Sequence, residues 1–270
     1  MNQHPLSDFL NLTGLNVLVT GSTSGIGQGI ATGLALAGCN VMINGMGTPS
    51  KIEAFRANLE ASSNRKIIYS DADLTKLTEI EKMFSHFEKS LGEIHGIVNN
   101  AGIQHVAPIE EFPTDMWDRI IALNLNSVFH TSRLAFKQMK QRKWGRIINI
   151  SSAHGLTASP FKSAYVTAKH GVMGFTKTAA LEGAEFGIRV NAICPGYVRT
   201  PLVENQINDT AKALNLPIDQ VIETVMLERQ PTKKFTTIEE IARMTCFLMS
   251  DAAPSITGAD IKMEGGWTAL

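Results

Sequence analysis

The decapeptide FKSAYVTAKH, residues 161–170, places two lysines around one tyrosine. Lys162, Tyr165 and Lys169 are separated by three and four residues, so in a helix they would share one face. A phenol with a pKa of about 10 is a poor acid or base at neutral pH, and bringing that pKa to about 7 takes about 4 kcal/mol. One ammonium about 4 Å away, at an effective dielectric constant of about 20, supplies about that much. The spacing suits proton transfer by Tyr165, although most Tyr/Lys pairs at this spacing only pack and solvate.

Ser152 adds a hydroxyl at the end of a predicted strand, RIINI, and the helix with Tyr165 follows directly. A strand end and the face of the next helix can meet at one edge of a sheet. A hydroxyl, a phenol and an ammonium would then lie together. Such a set is suited to acid/base chemistry on an alcohol or a carbonyl.

Lys162 has a possible function other than lowering the pKa of Tyr165. Ser159 and Pro160 resemble an N-cap and a first helical residue, which predicts Lys162 in the first turn, where the helix dipole disfavours a cation. A bound anion would relieve this conflict, because a carboxylate can accept a charge-assisted bond from Lys162. Further polar side chains near these motifs would complete a site for a small hydroxy acid: Gln104, His154 and Gln206.

Short β-rich apolar runs alternate with longer helical patterns along the chain. We predict strands at 16–20, 40–43, 66–70, 94–98, 146–150, 188–193 and 256–263. Segments 25–37, 75–91, 115–140 and 162–186 are long enough for the crossover helices that parallel strands require. The pattern predicts an α/β fold, a Rossmann-type doubly wound parallel sheet in one domain over residues 1–270. Residues 197–235 interrupt the alternation and predict a helical substrate lid.

A glycine-rich turn, TGSTSGIG, follows the first predicted strand. Its glycines permit a tight turn and close approach to a pyrophosphate, and the helix that opens there offers free N–H groups. The GxxxGxG spacing alone is weak evidence, and its place between a strand and a helix strengthens it. The turn and the ends of the third and fourth strands therefore predict contacts to a dinucleotide at Gly21, Thr23, Ser24, Gly25, Ile26, Gly27, Asp73, Leu74, Asn100, Ala101 and Gly102.

The end of the second strand bears on the choice between NAD and NADP. NGMG, residues 44–47, has no carboxylate for the ribose 2′-hydroxyl that marks NAD sites. No Arg or Lys comes before Lys51 either, although a 2′-phosphate usually needs a cation. We predict NAD, and the sequence leaves NADP open.

The composition excludes several classes of partner. Twenty-five Lys plus Arg balance 25 Asp plus Glu, which disfavours nucleic acid and anionic membranes. Cys39, Cys194 and Cys246 form no CxxC pair for a metal or a redox disulfide, and reduced thiols suit a cytoplasmic protein. Because neither a basic leader nor a membrane-length apolar run is present, we expect no membrane span. A small molecule is the expected partner.

In chain order, the glycine turn, NNAG (99–102), NISS (149–152) and YVTAK (165–169) resemble the short-chain dehydrogenase/reductase family over nearly the full length. The resemblance implies hydride exchange between a nicotinamide and a carbonyl/alcohol pair. Tyr165 would be the acid/base, and Lys169 would bind the nicotinamide ribose and lower the tyrosine pKa. Ser152 would hold the reacting oxygen, and Asn124 would anchor a proton-relay water. The resemblance also implies a homotetramer built through segments 115–140 and 162–186 and the chain end. It further implies cofactor contacts at Leu123, Tyr165, Lys169, Pro195, Gly196, Val198 and Thr200.

Four longer segments resemble one bacterial subfamily, whose members oxidise D-3-hydroxybutyrate to acetoacetate: GIQHVAPIEEFP, SSAHGLTASPFKSAYVTAKHG, CPGYVRTPLVENQI and GGWTAL. This resemblance assigns the substrate carboxylate to Gln104, His154, Lys162 and Gln206. It assigns the apolar wall to Trp267 and to Tyr197, where a tryptophan is usual, so slightly larger 3-hydroxy acids are expected to fit too. The alternatives are an NADPH-dependent 3-oxoacyl thioester reductase, a dehydrogenase of another small hydroxy acid, and a non-catalytic nucleotide sensor.

Overall fold

The computed structural model describes residues 10–252 and 254–269, and seven parallel strands form the sheet of this part of the chain. The strands are β1 (Asn16–Val19), β2 (Asn40–Asn44), β3 (Ile67–Ser70), β4 (Gly96–Asn99), β5 (Gly145–Ile150), β6 (Ile188–Pro195) and β7 (Asp260–Met263). Their order is β3-β2-β1-β4-β5-β6-β7. The order reverses between β1 and β4, and ligands of such sheets bind at the carboxyl ends of the strands near this point. The predicted doubly wound sheet is confirmed, whereas the segment 1–9, where no leader was expected, lies outside the described residues.

Helices cover both faces of the sheet. They are α1 (Gly25–Leu36), α2 (Pro49–Ser63), α3 (Leu77–Leu91), α4 (Thr114–Ile121), α5 (Ser127–Arg142), α6 (Ser163–Gly183), α7 (Pro201–Leu214), α8 (Ile218–Val221) and α9 (Ile238–Met249). α2 was not among the predicted crossovers, because only Ile52 and Leu59 of it are buried and its apolar stripe is weak. In the described residues, no helix combines the length and the apolar character that crossing a bilayer demands.

Apolar side chains fill the space between the sheet and both helical layers. On one face α1, α2 and α9 pack on the strands, for example through Ile30 and Ile241. On the other face α3, α5 and α6 do so, for example through Phe87 and Met139. β1 and β5 are buried along their whole length, as expected for central strands covered on both sides. This packing fixes the strand ends from which the candidate site is built.

The segment predicted as one helix over 115–140 is interrupted. A π turn, Ala122–Asn126, separates α4 from α5. A π turn inserts a residue into the helical hydrogen-bond pattern and is often found at functional sites. The interruption places Asn124 on the inner side of the helix, where it is buried.

The predicted start of α6 at Ser159 and Pro160 is wrong. The helix begins at Ser163, and Lys162 occupies the N-cap position with φ −123° and ψ 33°. Phe161 has a φ of +66°, a left-handed conformation that a helix cannot contain. Lys162 therefore lies just before the helix and not in its first turn.

Tertiary contacts explain this later start. The Ser159 hydroxyl lies 2.8 Å from His154 Nε2, so it forms a hydrogen bond with the imidazole and does not cap the helix. The Phe161 carbonyl accepts a hydrogen bond from the Ala107 N–H at 3.0 Å. The loop before α6 is therefore held by its neighbours, and these contacts override the local Ser-Pro signal.

Residues 197–235, the predicted lid, contain α7, α8 and a π turn, Ile222–Met226. Buried Ile207, Val221 and Met226 form an apolar cluster separate from the two cores of the sheet. The predicted lid segment is therefore a small packed unit between β6 and α9.

The amino edge of the sheet carries a buried cation. Arg146, near the start of β5, donates to Asp251 at 2.6 Å and to the Gly187 carbonyl at 3.2 Å. Its guanidinium also lies 4.3 Å from the Trp144 ring centroid. These contacts pair the buried charge within the chain, and removing Asp251 would leave the guanidinium without its ion-pair partner.

Candidate active site

The turn between β1 and α1 brings one backbone segment against another at the carboxyl edge. Gly21 has a φ of +60°, and a Cβ there would lie 2.7 Å from Ala101 Cα. A Cβ at Gly27 would collide with the Gly21 carbonyl oxygen and with the side-chain amide of Asn100. Ser24, at the N-cap of α1, makes no capping side-chain bond within the described chain. The first N–H groups of α1 are therefore available to a phosphate.

A cavity of about 570 Å³ runs along this edge. Most of the predicted cofactor residues line it: Gly21, Thr23, Ser24, Gly25, Ile26, Gly27, Asp73, Leu74, Asn100, Ala101, Gly102, Leu123, Tyr165, Lys169 and Thr200. Pro195, Gly196 and Val198, which were also predicted, are not part of its lining in the described chain. The loop after β6 contributes to the cavity through Thr200.

The end of β2 lines the cavity, although its residues were not among the predicted contacts. Gly45 and Met46 lie beside the glycine turn. The Thr23 hydroxyl donates to the Met46 carbonyl at 2.9 Å, and the Tyr69 hydroxyl donates to the Gly45 carbonyl at 2.9 Å. This loop therefore has a fixed path where such folds read the ribose of a dinucleotide.

Arg119 of α4 is a second unpredicted residue of the cavity lining. It precedes Leu123 by four residues, so both side chains lie on one side of the helix. That spacing is the signal that could have identified Arg119 from the sequence.

Ser152, Tyr165 and Lys169 meet where β5 ends beside α6. The buried Lys169 donates from Nζ to the Ile150 carbonyl at 2.7 Å and lies 5.6 Å from the Tyr165 ring centroid. The Ser152 hydroxyl lies near enough to the Tyr165 phenol to lower its pKa, and Ser152 Oγ accepts a hydrogen bond from the His154 N–H at 3.1 Å. The hydroxyl, phenol and ammonium thus form one cluster.

Burial dominates the titration of this cluster. It raises the pKa of the Tyr165 phenol above its ordinary value, and the nearby Ser152 hydroxyl opposes this effect. Burial also lowers the pKa of the Lys169 ammonium to about 8. Lys169 is not among the groups that shift the pKa of Tyr165, so its lowering of the tyrosine pKa stays a prediction.

Both ends of the Asn124 side chain form hydrogen bonds with the backbone of one residue. Its Oδ1 accepts from the Ile103 N–H at 2.9 Å, and its Nδ2 donates to the Ile103 carbonyl at 2.9 Å. Gly102 packs against it, since a Cβ there would lie 3.4 Å from Asn124 Oδ1. The side chain therefore fastens the NNAG loop to the π turn.

Four of the six predicted substrate residues form one cluster next to Tyr165. The Tyr197 ring stacks on Trp267 with 5.7 Å between centroids, and the His154 ring meets the edge of Trp267 at 5.2 Å. His154 also lies 6.1 Å from the Tyr165 ring. Lys162 Nζ lies 5.8 Å from the centroid of Tyr197. The cluster thus joins an apolar wall to a cation.

Lys162 is 8% exposed and forms no ion pair with any described residue. Its burial lowers the pKa of its ammonium. Burial, followed by the charge of Lys162, lowers the pKa of His154 to about 4, so the imidazole is neutral at neutral pH. An uncompensated cation beside a neutral imidazole is an environment that favours an anionic ligand.

The other two predicted substrate residues lie elsewhere around the site. Gln104 lines the cofactor cavity, and Gln206 is half-buried on α7 of the lid. The His154 side chain bonds Ser159 and neither of these amides within the described residues. Their contacts to a substrate carboxylate remain predictions.

A phosphate-binding turn that opens towards a buried phenol and ammonium serves hydride transfer in doubly wound folds. The fold and the site together therefore define a dinucleotide-dependent oxidoreductase. The chain belongs to the short-chain dehydrogenase family, whose model matches residues 15–211. This family uses a nicotinamide cofactor.

Two relatives match nearly the full chain. A D-beta-hydroxybutyrate dehydrogenase of Rhizobium meliloti (strain 1021) is 54% identical over 252 residues, which are 93% of this chain and 98% of the relative. A D-beta-hydroxybutyrate dehydrogenase of Cupriavidus necator is 50% identical over 258 residues, or 96% and 99%. The crystal structure of a levodione reductase has a TM-score of 0.88 at 30% identity and covers 96% of this chain and 99% of that one. The family expected from the motifs is confirmed.

Proposed function

We propose that this chain is an NAD-dependent dehydrogenase that interconverts D-3-hydroxybutyrate and acetoacetate. The observation that carries the proposal is buried Lys162, which lacks an ion-pair partner in the described chain and lies in one cluster with neutral His154 and the Tyr197–Trp267 stack. A small molecule with a carboxylate and a hydroxyl two carbons away fits such a site. The two relatives at 54% and 50% identity carry this activity in their names.

Each side chain has a separate task in the proposed reaction. Lys162 binds the carboxylate, with His154, Gln104 and Gln206 as neutral partners. Ser152 holds the substrate hydroxyl by a hydrogen bond. The Tyr165 phenolate accepts the hydroxyl proton while the C3–H bond gives up its electron pair as hydride, and the carbonyl of acetoacetate forms.

A bound NAD would supply the hydride acceptor, and its positive charge would favour the Tyr165 phenolate. Lys169 has a pKa of about 8 and is mostly protonated at neutral pH, so it acts in the same direction. The proton-relay water assigned to Asn124 would be held by the backbone of the π turn, because both ends of its side chain are bonded to Ile103.

The residues along the cavity fit a nicotinamide dinucleotide. The glycine turn leaves room that a Cβ at Gly21 or Gly27 would fill, and the start of α1 faces that room. We assign NAD because the end of β2 and the loop after it, residues 44–47, contain no cation for a 2′-phosphate. Arg119 is exposed on α4 and is not part of that loop.

A reductase of 3-oxoacyl thioesters is the second candidate from the sequence. A thioester has no carboxylate to pair with Lys162, and its carrier arm needs an open channel. Trp267 and Lys162 are each only 8% exposed, which favours a short, charged substrate. Other small hydroxy acids remain compatible with Tyr197 in the wall.

We also propose one catalytic domain over residues 1–270 with its lid at 197–235, assembled as a cytoplasmic homotetramer. Phe129 of α5 and Leu181 of α6 are 47% and 80% exposed, which suits burial between subunits. Cys39, Cys194 and Cys246 are free thiols, which suits a reducing compartment. Light scattering on the purified chain tests the assembly, and a monomeric mass would refute it.

One assay tests the reaction. Formation of NADH and NADPH is followed with each enantiomer of 3-hydroxybutyrate, alongside oxidation of both cofactors with an acetoacetyl thioester. We expect turnover of the D enantiomer with NAD at a kcat/KM at least about 100-fold above every other pairing. Turnover of the thioester with NADPH alone would overturn the proposal.

A further inference from the structure

Gln230 is a fully buried residue of the lid, and both ends of its side chain are bonded. Its Oε1 accepts from the Tyr197 N–H at 2.6 Å, and its Nε2 donates to the Lys234 carbonyl at 2.7 Å. Tyr197 is the first residue of the lid, and Lys234 is the residue before its last. One amide therefore joins the beginning of the lid to its end.

Two glycines make room for this amide. A Cβ at Gly196 would collide with Gln230 Oε1, and a Cβ at Gly265 would lie 3.2 Å from Gln230 Nε2. Gly196 precedes the lid, and Gly265 follows β7. The loops from two neighbouring strands thus pack around one side chain and fix its orientation.

Further hydrogen bonds fasten the same region to the end of β7. The Thr236 N–H donates to the Tyr197 carbonyl at 3.0 Å, and the Thr236 hydroxyl donates to the Met263 carbonyl at 2.7 Å. The Gly196 N–H donates to that same Met263 carbonyl at 3.0 Å. The two ends of the lid are therefore bound to each other and to the sheet.

Tyr197 connects these hydrogen-bonded ends of the lid to the substrate cluster. It packs against the apolar cluster of the lid, formed by Ile207, Val221 and Met226. It also stacks on Trp267, with the two rings 21° from parallel. A shift of the Tyr197 backbone would therefore disturb the lid and the substrate wall together.

We propose that Gln230 is a positioning residue that aligns the aromatic wall of the substrate site by fixing the Tyr197 backbone to both ends of the lid. The inference rests on the proposed function, because it assigns the Tyr197–Trp267 stack to the substrate. With these bonds intact, the Tyr197 backbone is held to both ends of the lid and, through Thr236, to the end of β7. Without the amide, the Tyr197 N–H and the Lys234 carbonyl lose their partners and find others only by reaching water.

Gln230→Met tests the role, because methionine has a similar volume and forms neither hydrogen bond. We expect KM for D-3-hydroxybutyrate to rise about tenfold or more and kcat to change less than about threefold, because the acid/base cluster is untouched. The Kd for NADH should stay within about twofold of the wild-type value. Gln220→Met is the matched control, since it makes the same change at an exposed lid residue and should leave KM unchanged.

A Gln230→Met enzyme with wild-type KM and kcat but a lower Tm would overturn the proposal, because the amide would then be purely structural. If that variant does not fold, hydrogen exchange of the wild-type chain tests whether the Tyr197 amide is held by Gln230. The Tyr197 amide should exchange at least about 100-fold more slowly than the exposed amides of α7, and equal rates would overturn the proposal. This measurement needs no substrate. A wild-type chain that is inactive on 3-hydroxybutyrate would therefore refute the proposed function, and the exchange result would still test the hydrogen bonds of Gln230.

Discussion

Replacing Lys162 with methionine removes the buried charge that we assign to the substrate carboxylate and keeps most of the volume of the side chain. Lys162 has no ion-pair partner in the described residues, so a bound carboxylate would be its counter-charge. A hydrogen bond to a charged group contributes about 1.5–3 kcal/mol. Because a factor of ten corresponds to about 1.4 kcal/mol, KM for D-3-hydroxybutyrate should rise about 10- to 150-fold.

The assay compares initial rates on D-3-hydroxybutyrate with those on its methyl ester. The ester has no charge for Lys162 to bind, so its KM should change less than about threefold in Lys162→Met. Lys177→Met, at an exposed position of α6, the helix that follows Lys162, is the control and should leave both values unchanged. Equal losses on the acid and the ester would refute the assignment of Lys162 to the carboxylate.

The pH dependence gives a second readout of the same group. Burial lowers the pKa of Lys162, so the ammonium loses its proton at a lower pH than an ordinary lysine, whose pKa is about 10.4. The KM for the acid should therefore rise as the pH increases through the lowered pKa of Lys162, because the neutral amine no longer attracts the carboxylate. The KM for the ester should stay flat over the same range, and a parallel rise would contradict the reasoning.

Three further predictions concern other parts of the site. Tyr165→Phe removes the proton acceptor and should lower kcat about 100- to 10,000-fold, with the Kd for NADH, measured by fluorescence titration, nearly unchanged. Gly27→Ala forces a Cβ against the Gly21 carbonyl and should weaken NADH binding at least about tenfold, whereas Gly174→Ala, with nothing within 4 Å of the new Cβ, should bind NADH normally. The pKa of His154 is about 4 when folded and about 6.5 when unfolded, so the unfolded chain takes up the proton first as the pH falls, and this residue should remove about 3 kcal/mol of stability between pH 6.5 and 4. Urea unfolding of wild type and His154→Gln at both ends of that range checks this, and identical losses would contradict it.

The parts of the site that could be predicted are those in which a few neighbouring residues carry the signal. The glycine turn needs only a strand before it and a helix after it, and Tyr165 and Lys169 need only one helical turn between them. Both were located by spacing together with their places among the predicted strands and helices, and the structure places them along the same cavity. The doubly wound parallel sheet followed from the alternation of short apolar runs with segments long enough for crossover helices, whereas the order of its strands was not predicted.

The parts that could not be predicted depend on contacts between distant segments. Ser159 has the sequence signature of an N-cap, but His154 takes its hydroxyl. The raised pKa of Tyr165 comes from burial, which no spacing reveals. Likewise, the bonds of Gln230 join residues at both ends of the lid with side-chain geometry that a linear pattern does not contain.

Strand β5 has Arg146 near one end and leads to Ser152 at the other. At a rise of about 3.3 Å per residue, these two positions are about 20 Å apart. Substitutions at such distances usually act additively, so changes that strengthen the amino edge should not disturb proton transfer at the carboxyl edge. Attachment to a surface or stabilising mutations near Arg146 are therefore a practical route to a more stable biocatalyst. Stabilising substitutions at this edge should not cause the loss of turnover that often accompanies stabilisation.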